Sequence, residues 1–420
     1  MLDKRNATNG TARSVLRLLA GVVVGAVVLS SAVVRAQGTN APAQQPVAGW
    51  VFTPSISFGG TWDDNVLLVN PGTNPPSDYG SPIGPSISLG YNGKRTRFST
   101  GYGGSMMRYV TLDDLNSFQQ SLRARLDHRH SARLSFFAQE SFASAPTTDV
   151  LQFAGVPFYR TGSRLNAASG GVGVALTKHT SLRSVYTLRS AAFDRNQLSG
   201  TQLRGGHSHE VMTAVERMLS PHLMIGAEYE FTRAIVSSQT ASGLSGPEDR
   251  FNMQTASITT QYEVAEGTTL SGGVGVAQLG AGLTHEGRTG PQWRAAVSQR
   301  LGRGVVAASF RRAYIPSFGF GGTMQNEQRM ANIRMPIGRT RAFVDGAVSW
   351  LSNDPLDADQ PSLQSAWVST SLGYYATRWL TLEGFYERTQ QDSQRAGGQL
   401  ERNQLGFRIT AVKPIKLNRP

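Results

Sequence analysis

A two-residue alternation of apolar and polar side chains runs through most of this chain. Leu223, Ile225, Ala227, Tyr229 and Phe231 are apolar or aromatic, and Glu228 and Glu230 fall between them. Such a period sends the oily side chains to one face of a strand and both carboxylates to the other. The pattern returns where Leu122, Ala124 and Leu126 alternate with Arg123, Arg125 and Asp127, and where Trp293, Ala295 and Val297 alternate with Arg294, Ala296 and Ser298. Leu405, Phe407, Ile409 and Ala411 likewise alternate with Gln404, Gly406, Arg408 and Thr410. A sheet built from such strands faces hydrocarbon on one side and water on the other.

The strands are punctuated unevenly. Tight turns fall near 92–94, 129–131, 177–180, 219–221, 265–267, 302–304, 338–340 and 376–378. Long polar connections fall near 70–85, 111–116, 143–163, 194–205, 237–249, 280–290, 316–325, 352–361 and 391–399. Long loops at one rim and short turns at the other are the pattern of a membrane barrel with outer loops and periplasmic turns. Strands of about ten to twelve residues at roughly 3.3 Å each, tilted by about 40–45°, span about 25 Å, the height of an outer-membrane apolar band. The expected fold is all-β: a single transmembrane antiparallel up-and-down β-barrel of about eighteen strands over residues 50–412, with both chain ends at the short-turn rim. The second strand is expected to open only at Ser86, after the Pro- and Gly-rich stretch.

Composition adds to this picture. The 420-residue chain has 46 glycines and no cysteine, which excludes a disulfide scaffold, cysteine-ligated metal and a cysteine nucleophile. Lys4, Arg5, Arg13 and Arg17 precede an apolar run at 18–34 that closes on Val34-Arg35-Ala36, so residues 1–36 read as a cleaved signal peptide. Residues 37–49 form a polar linker, and 413–420 a C-terminal tail. Removing residues 1–36 takes away five basic residues and one acid, so the formal charge falls from +13 to +13 − 5 + 1 = +9. That balance points to anionic partners. Nucleic acid is not among them, because the arginines are spaced along strands and do not cluster with stacking aromatics.

An arginine facing lipid at mid-bilayer costs on the order of 2–4 kcal/mol. The period therefore predicts that Arg123, Arg125, Arg183, Arg189, Arg294, Arg300, Arg402 and Arg408 line the pore, together with Glu228, Glu230, Asp345, Glu383 and Glu387. An eighteen-strand lumen is too wide for side chains to fill. The segment 145–163, with Phe153, Phe158, Tyr159 and Arg160, is a candidate to fold inward and narrow it. Tyr91, Phe98, Tyr109, Phe193, Tyr262, Tyr314, Trp350, Trp379 and Tyr386 are expected in aromatic girdles at the two membrane interfaces.

Candidate chemistry is sparse. Glu228 and Glu230 have the spacing of an inverting glycosidase pair, about 7 Å between Cα atoms, but read better as a charge ladder facing lumen arginines. His207 and His209 share one side of a strand as metal ligands do, yet Glu210 points the other way. No His and Ser stand in a recognisable hydrolase motif. The runs Gly170-Gly171-Val172-Gly173 and Gly272-Gly273-Val274-Gly275 lie inside strands and lack the Lys-Ser/Thr of a phosphate loop. No enzyme activity, cofactor or metal site is expected.

Residues 52 to about 110, with FTPSISFGGTWDDNVLL and SPIGPSISLGYNGKRTRFSTGYGGSMMRY, resemble the opening of the β-barrel porin 2 family of bacterial outer-membrane proteins. Trp62-Asp63-Asp64-Asn65 matches the element that ends that family's first strand. The resemblance implies an outer-membrane location and a barrel fold, and some members resemble proteins associated with exopolysaccharide export; the expected partners of a net basic chain there include the outer-membrane lipid and its lipopolysaccharide. Together these readings describe a porin-like channel for hydrophilic, anionic solutes or an export-linked polysaccharide. The alternatives are a non-conducting barrel that binds glycan or an export partner and, below it, an outer-membrane enzyme acting on lipid or glycan.

Overall fold

The computed structural model describes residues 48–149, 155–194, 203–237, 248–282, 286–356, 361–393 and 398–417. The expected signal segment lies outside the described residues. The strands are β1 (Gly49–Asp63), β2 (Asp78–Asn92), β3 (Thr96–Tyr109), β4 (Ser117–Arg129), β5 (Leu134–Ala145) and β6 (Ser163–Ala175). They continue with β7 (Thr180–Phe193), β8 (Gly206–Ser220), β9 (Leu223–Val236), β10 (Asp249–Ala265), β11 (Thr268–Leu279) and β12 (Arg288–Leu301). The last are β13 (Gly304–Pro316), β14 (Thr323–Pro336), β15 (Ala342–Pro355), β16 (Leu363–Tyr375), β17 (Leu380–Ser393) and β18 (Leu400–Val412).

Each strand pairs antiparallel with its sequence neighbour, and β1 pairs with β18 from Ser55↔Val412 to Asp63↔Gln404, so the eighteen-strand sheet closes on itself. A further piece, Ile415–Leu417, continues past Pro414 and pairs with Phe52, Val51 and Trp50, completing the seam at the short-turn rim. Closure matters because a strand edge left in hydrocarbon has no water to satisfy its N–H and C=O groups. The alternation of long loops and short turns follows the sequence expectation.

Strands of 12 to 17 residues exceed the expected length because they run past the apolar band. On the outer face of β18, Ile409, Phe407 and Leu405 give way to Asn403 and Glu401; on β9, Tyr229 and Phe231 give way to Arg233. The second strand starts at Asp78, eight residues before the expected Ser86. Gly80, Pro82, Gly84 and Pro85 hide it from a propensity reading, and the ladder to β1 and β3 carries gaps where the prolines lack an N–H.

The two faces are distinguished by exposure. Ile258 (68% exposed), Val274 (65%) and Trp293 lie side by side across β10, β11 and β12 and define the outer wall. Trp50, Tyr91 and Phe98 cluster on it at the short-turn rim, with ring centroids 4.9 and 6.2 Å apart, while Trp350 and Tyr386 stand toward the other border. Three of the expected girdle aromatics are elsewhere. Tyr109 and Phe193 fall on the interior parity of their strands, Tyr109 buried beneath the Arg160 guanidinium. Phe193 and Tyr314 pack against an apolar cluster inside the long-loop rim. Proximity to a strand end sets height and says nothing of face.

The seam is held by the Trp62-Asp63-Asp64-Asn65 element. Asp63 accepts from Arg402 Nε at 3.1 and 3.0 Å, from Arg402 Nη2 at 2.5 Å and from Gln404 Nε2 at 3.1 Å. Asp64 accepts from the Asn403 backbone N–H (2.6 Å) and Nδ2 (2.7 Å). Asn65 Nδ2 donates to the carbonyls of Val69 (2.7 Å) and Glu401 (2.9 Å), so three consecutive side chains clasp β18. Removing one partner of a buried ion pair leaves an uncompensated charge and costs about 3–5 kcal/mol. Arg402→Ala, which strands the buried carboxylates of Asp63 and Asp149, is therefore expected to lower stability by about that amount in denaturant unfolding of the micelle-bound barrel. Arg164→Gln, which breaks an exposed pair with Asp194, is expected to change it by less than about 1 kcal/mol.

Candidate functional site: the barrel interior and its mouth

The register places the charged positions singled out in the sequence opposite the exposed apolar rows. Arg123 and Arg125 on β4, Arg183 and Arg189 on β7, Glu228 and Glu230 on β9, and Arg294 and Arg300 on β12 share the interior parity. So do Asp345 on β15, Glu383 and Glu387 on β17, and Arg402 and Arg408 on β18. The interior face is polar because half of each strand's side chains meet a space too wide to fill with apolar groups.

Several of these charges neutralise one another. Arg294 Nη2 donates to Glu228 Oε2 at 2.9 Å, although the two strands are separated by β10 and β11. The guanidinium lies along the inner wall because Gly273 leaves room: a Cβ there would stand 3.1 Å from Arg294 Nε and 3.3 Å from its Cγ. Arg189 pairs with Glu210, and Arg183 with Glu216 at 3.7 Å. Arg408 lies 3.7 Å from Glu383, and Arg334 lies 3.9 Å from Asp345. Arg125 donates to both oxygens of Asp127, at 2.8 and 2.6 Å, and to Gln139 at 2.9 Å. Arg123 and Arg300 have no acidic partner among the described residues, and Arg311, though in no ion pair, acts electrostatically on Glu230. Arg311, which the sequence reading did not select, is adjacent in register to Arg294.

Arg402 is a different case. It faces inward but is only 6% exposed, locked between Asp63 and Asp149, whose Oδ2 accepts from its Nη1 at 2.5 Å. Asp149 belongs to the connection between β5 and β6, so this contact fastens that loop to the seam. Residues 150–154, Phe153 among them, lie outside the described residues; the described parts of the loop reach across the mouth. Thr148 Oγ1 accepts from the Tyr159 N–H at 2.7 Å and donates to the Pro157 carbonyl at 2.7 Å, which folds the segment back on itself. The Phe158 N–H reaches Gln391 Oε1 on β17 at 2.6 Å, and Arg160 donates to the carbonyls of Val66 (3.0 Å) and Leu115 (2.8 Å). Ser317, between β13 and β14, donates to the Gly155 carbonyl.

Beneath these contacts lies an apolar cluster of Val156, Leu203, Phe318 and the inward side chains Ala143, Leu165, Ala234, Val236, Phe251, Met253 and Leu279. In the upper interior loops and wall residues thus pack together, while the lower interior carries the charges. Loop packing of this kind has no two-residue signature; only Phe158, Tyr159 and Arg160 signalled it.

The other candidates resolve simply. Glu228 is an ion-pair partner of Arg294. His207 and His209 point to the outer wall with centroids 5.4 Å apart, and His209 Nδ1 shares a 2.7 Å hydrogen bond with Tyr186 OH; Glu210 faces the interior. Among the described residues no three His, Asp or Glu side chains assemble a metal site.

No protein-family model matches the chain, and no curated protein does. The porin 2 resemblance at residues 52–110 is therefore not confirmed. Solved structures with similar architecture include the siderophore receptor PirA of Pseudomonas aeruginosa, at 10% identity, covering 88% of this chain and 81% of that one with a TM-score of 0.45. Pseudomonas aeruginosa OccK3 (OpdO) has 12% identity, coverage of 87% and 96%, and a TM-score of 0.39. Acinetobacter baumannii OccAB4 has 7% identity, coverage of 89% and 100%, and a TM-score of 0.46.

If the β5–β6 loop obstructs the mouth, loosening its anchor widens the path. Asp149→Ala combined with Phe158→Ser is expected to raise single-channel conductance in planar bilayers. An unchanged conductance with an intact barrel would remove the loop from the permeation path.

Proposed function

We propose that this barrel resides in a bacterial outer membrane and carries hydrophilic anionic solutes passively through its lumen, without chemistry. The long-loop rim is then the outer surface and the short-turn rim periplasmic. The observation that carries the reading is the uneven pairing of interior charge. Among the described residues Arg123 and Arg300 stand without an acidic partner and Arg311 shares its field with Glu230 without an ion pair, whereas Glu228, Glu210, Glu216 and Glu383 each stand beside an arginine. Unneutralised guanidiniums along a wet wall raise the local anion concentration, and the carboxylates nearby limit how tightly an anion is held. In this reading Arg123, Arg125, Arg183, Arg189, Arg294, Arg300 and Arg408 line the path with Glu228, Glu230, Asp345, Glu383 and Glu387, and Arg402 serves as the loop anchor. An acidic polysaccharide segment in transit meets the same surface.

A second reading draws on the packed mouth: a closed barrel whose loops bind glycan or an export partner. The two separate electrically. Reversal potentials under a salt gradient should show anion preference, weakened when Arg123, Arg300 and Arg311 are replaced by Glu. Cation preference in the unaltered protein would overturn the sign of the argument, and absence of conductance even after the loop is loosened would favour the binding barrel.

A further inference from the structure

The outer wall carries a feature the channel reading does not use. In β13 the adjacent Arg311 and Arg312 must point to opposite faces, and register decides which. Arg312 lies beside Trp293, which lies beside the outward Val274, so Arg312 stands on the outside. Glu327 is its neighbour on β14, and Arg329, two residues on along β14, pairs with Phe310 and with the 48% exposed Trp350. The Arg312 guanidinium sits 5.0 Å from the centre of the Trp293 ring, and that of Arg329 sits 5.9 Å from Phe310. Stacking on aromatic faces fixes both planes and leaves their edges for a ligand.

Their internal partners do not satisfy them. Each guanidinium reaches Glu327 only at 3.5 Å, beyond the 2.7–2.9 Å of a charge-assisted hydrogen bond. Arg312 has one close acceptor, Gln325 Oε1 at 2.8 Å, and its Nε is buried with none. Asp354, beside Gln325 on the next strand, is the other acid on this face. Elsewhere on the wall Arg388 and Glu401 form a tight pair.

Height identifies the ligand. Arg312 is eight residues above the start of β13 and Arg329 seven above the end of β14, which at about 2.5 Å of height per tilted residue is about 18–20 Å from the short-turn rim. That is the outer part of an apolar band about 25 Å tall, from which a long arginine side chain reaches up to the lipid headgroups. Below the cluster the face is apolar, with Ala331, Ile333, Val348 and Val368 available to acyl chains.

We propose that Arg312 and Arg329 form a binding site for the phosphate of an outer-leaflet glycolipid, with Trp293, Phe310 and Trp350 framing it. A phosphate oxygen completes the donors that Glu327 leaves open, and planar guanidinium edges match its geometry. The site concerns the outside of the barrel and holds whether or not the lumen conducts.

Bisphosphorylated lipid A and the same lipid stripped of phosphate serve as probes, with retention on the detergent-purified barrel read by native mass spectrometry. The unaltered protein should retain the phosphorylated form preferentially. R312Q/R329Q should lower that retention by about tenfold or more, as expected for losing charge-assisted hydrogen bonds. E327Q, which removes the competing carboxylate, should raise it, and R388Q should leave it unchanged. Equal retention of the two lipids, or undiminished retention in R312Q/R329Q, overturns the proposal. So does a shift from dimer to monomer in that variant with lipid retention intact, which would make the face a contact between copies. If R312Q/R329Q does not assemble, E327Q decides: unaltered retention there overturns the proposal.

Discussion

Closure of this barrel depends on the pairing of β1 with β18. Strands two to seventeen find partners in their sequence neighbours, but the first and last can be satisfied only by each other, across almost the whole length of the chain. Without that contact two edges would stand in hydrocarbon with no water to bond them. The residues that secure it are concentrated at the long-loop end of β1, where Asp63, Asp64 and Asn65 reach Arg402, Asn403 and the Glu401 carbonyl. Nonlocal contacts of this kind pay the largest loop-closure entropy, so a strong polar clasp belongs there.

The same clasp organises the mouth. Arg402 divides its guanidinium between Asp63 on the seam and Asp149 on the β5–β6 loop, coupling barrel closure to the position of the segment that crosses the opening. Arg160 extends the coupling to the first two long loops through the carbonyls of Val66 and Leu115. The upper third is thereby built like a protein core, with Phe318, Leu279 and Phe251 buried, while the lower part keeps ionic side chains on a wide inner wall.

Glycine shapes that wall. Gly273 permits Arg294 to lie flat over β11 and reach Glu228, joining charges on strands that do not touch. Such pairing subtracts charge from the inner wall, while Arg123 and Arg300 stay outside every ion pair among the described residues. On the outside, aromatic rings hold arginines in the outer part of the apolar band, where the penalty of facing lipid is smaller than at mid-bilayer. Glu140, between Ala124 and Ala168 on the outer face of β5, is an ionic residue there for which the surroundings offer no account.

Periodicity alone determined the strands, their antiparallel order, the two rims and the face taken by Arg123, Glu228, Arg294 and Arg408, because a period of two and a lipid exterior admit one orientation. It failed where the alternation lapses. The run Phe310-Arg311-Arg312 has polar neighbours of both parities, and only pairing with Trp293 decided which arginine faces lipid; Gly80 to Pro85 concealed the start of β2. Which guanidiniums remain free, that Arg402 anchors a loop, and that the β5–β6 segment lies across the mouth were decided by tertiary structure. These are contacts between residues far apart in the chain, set by how the closed cylinder brings its walls and loops together, and no local pattern encodes them.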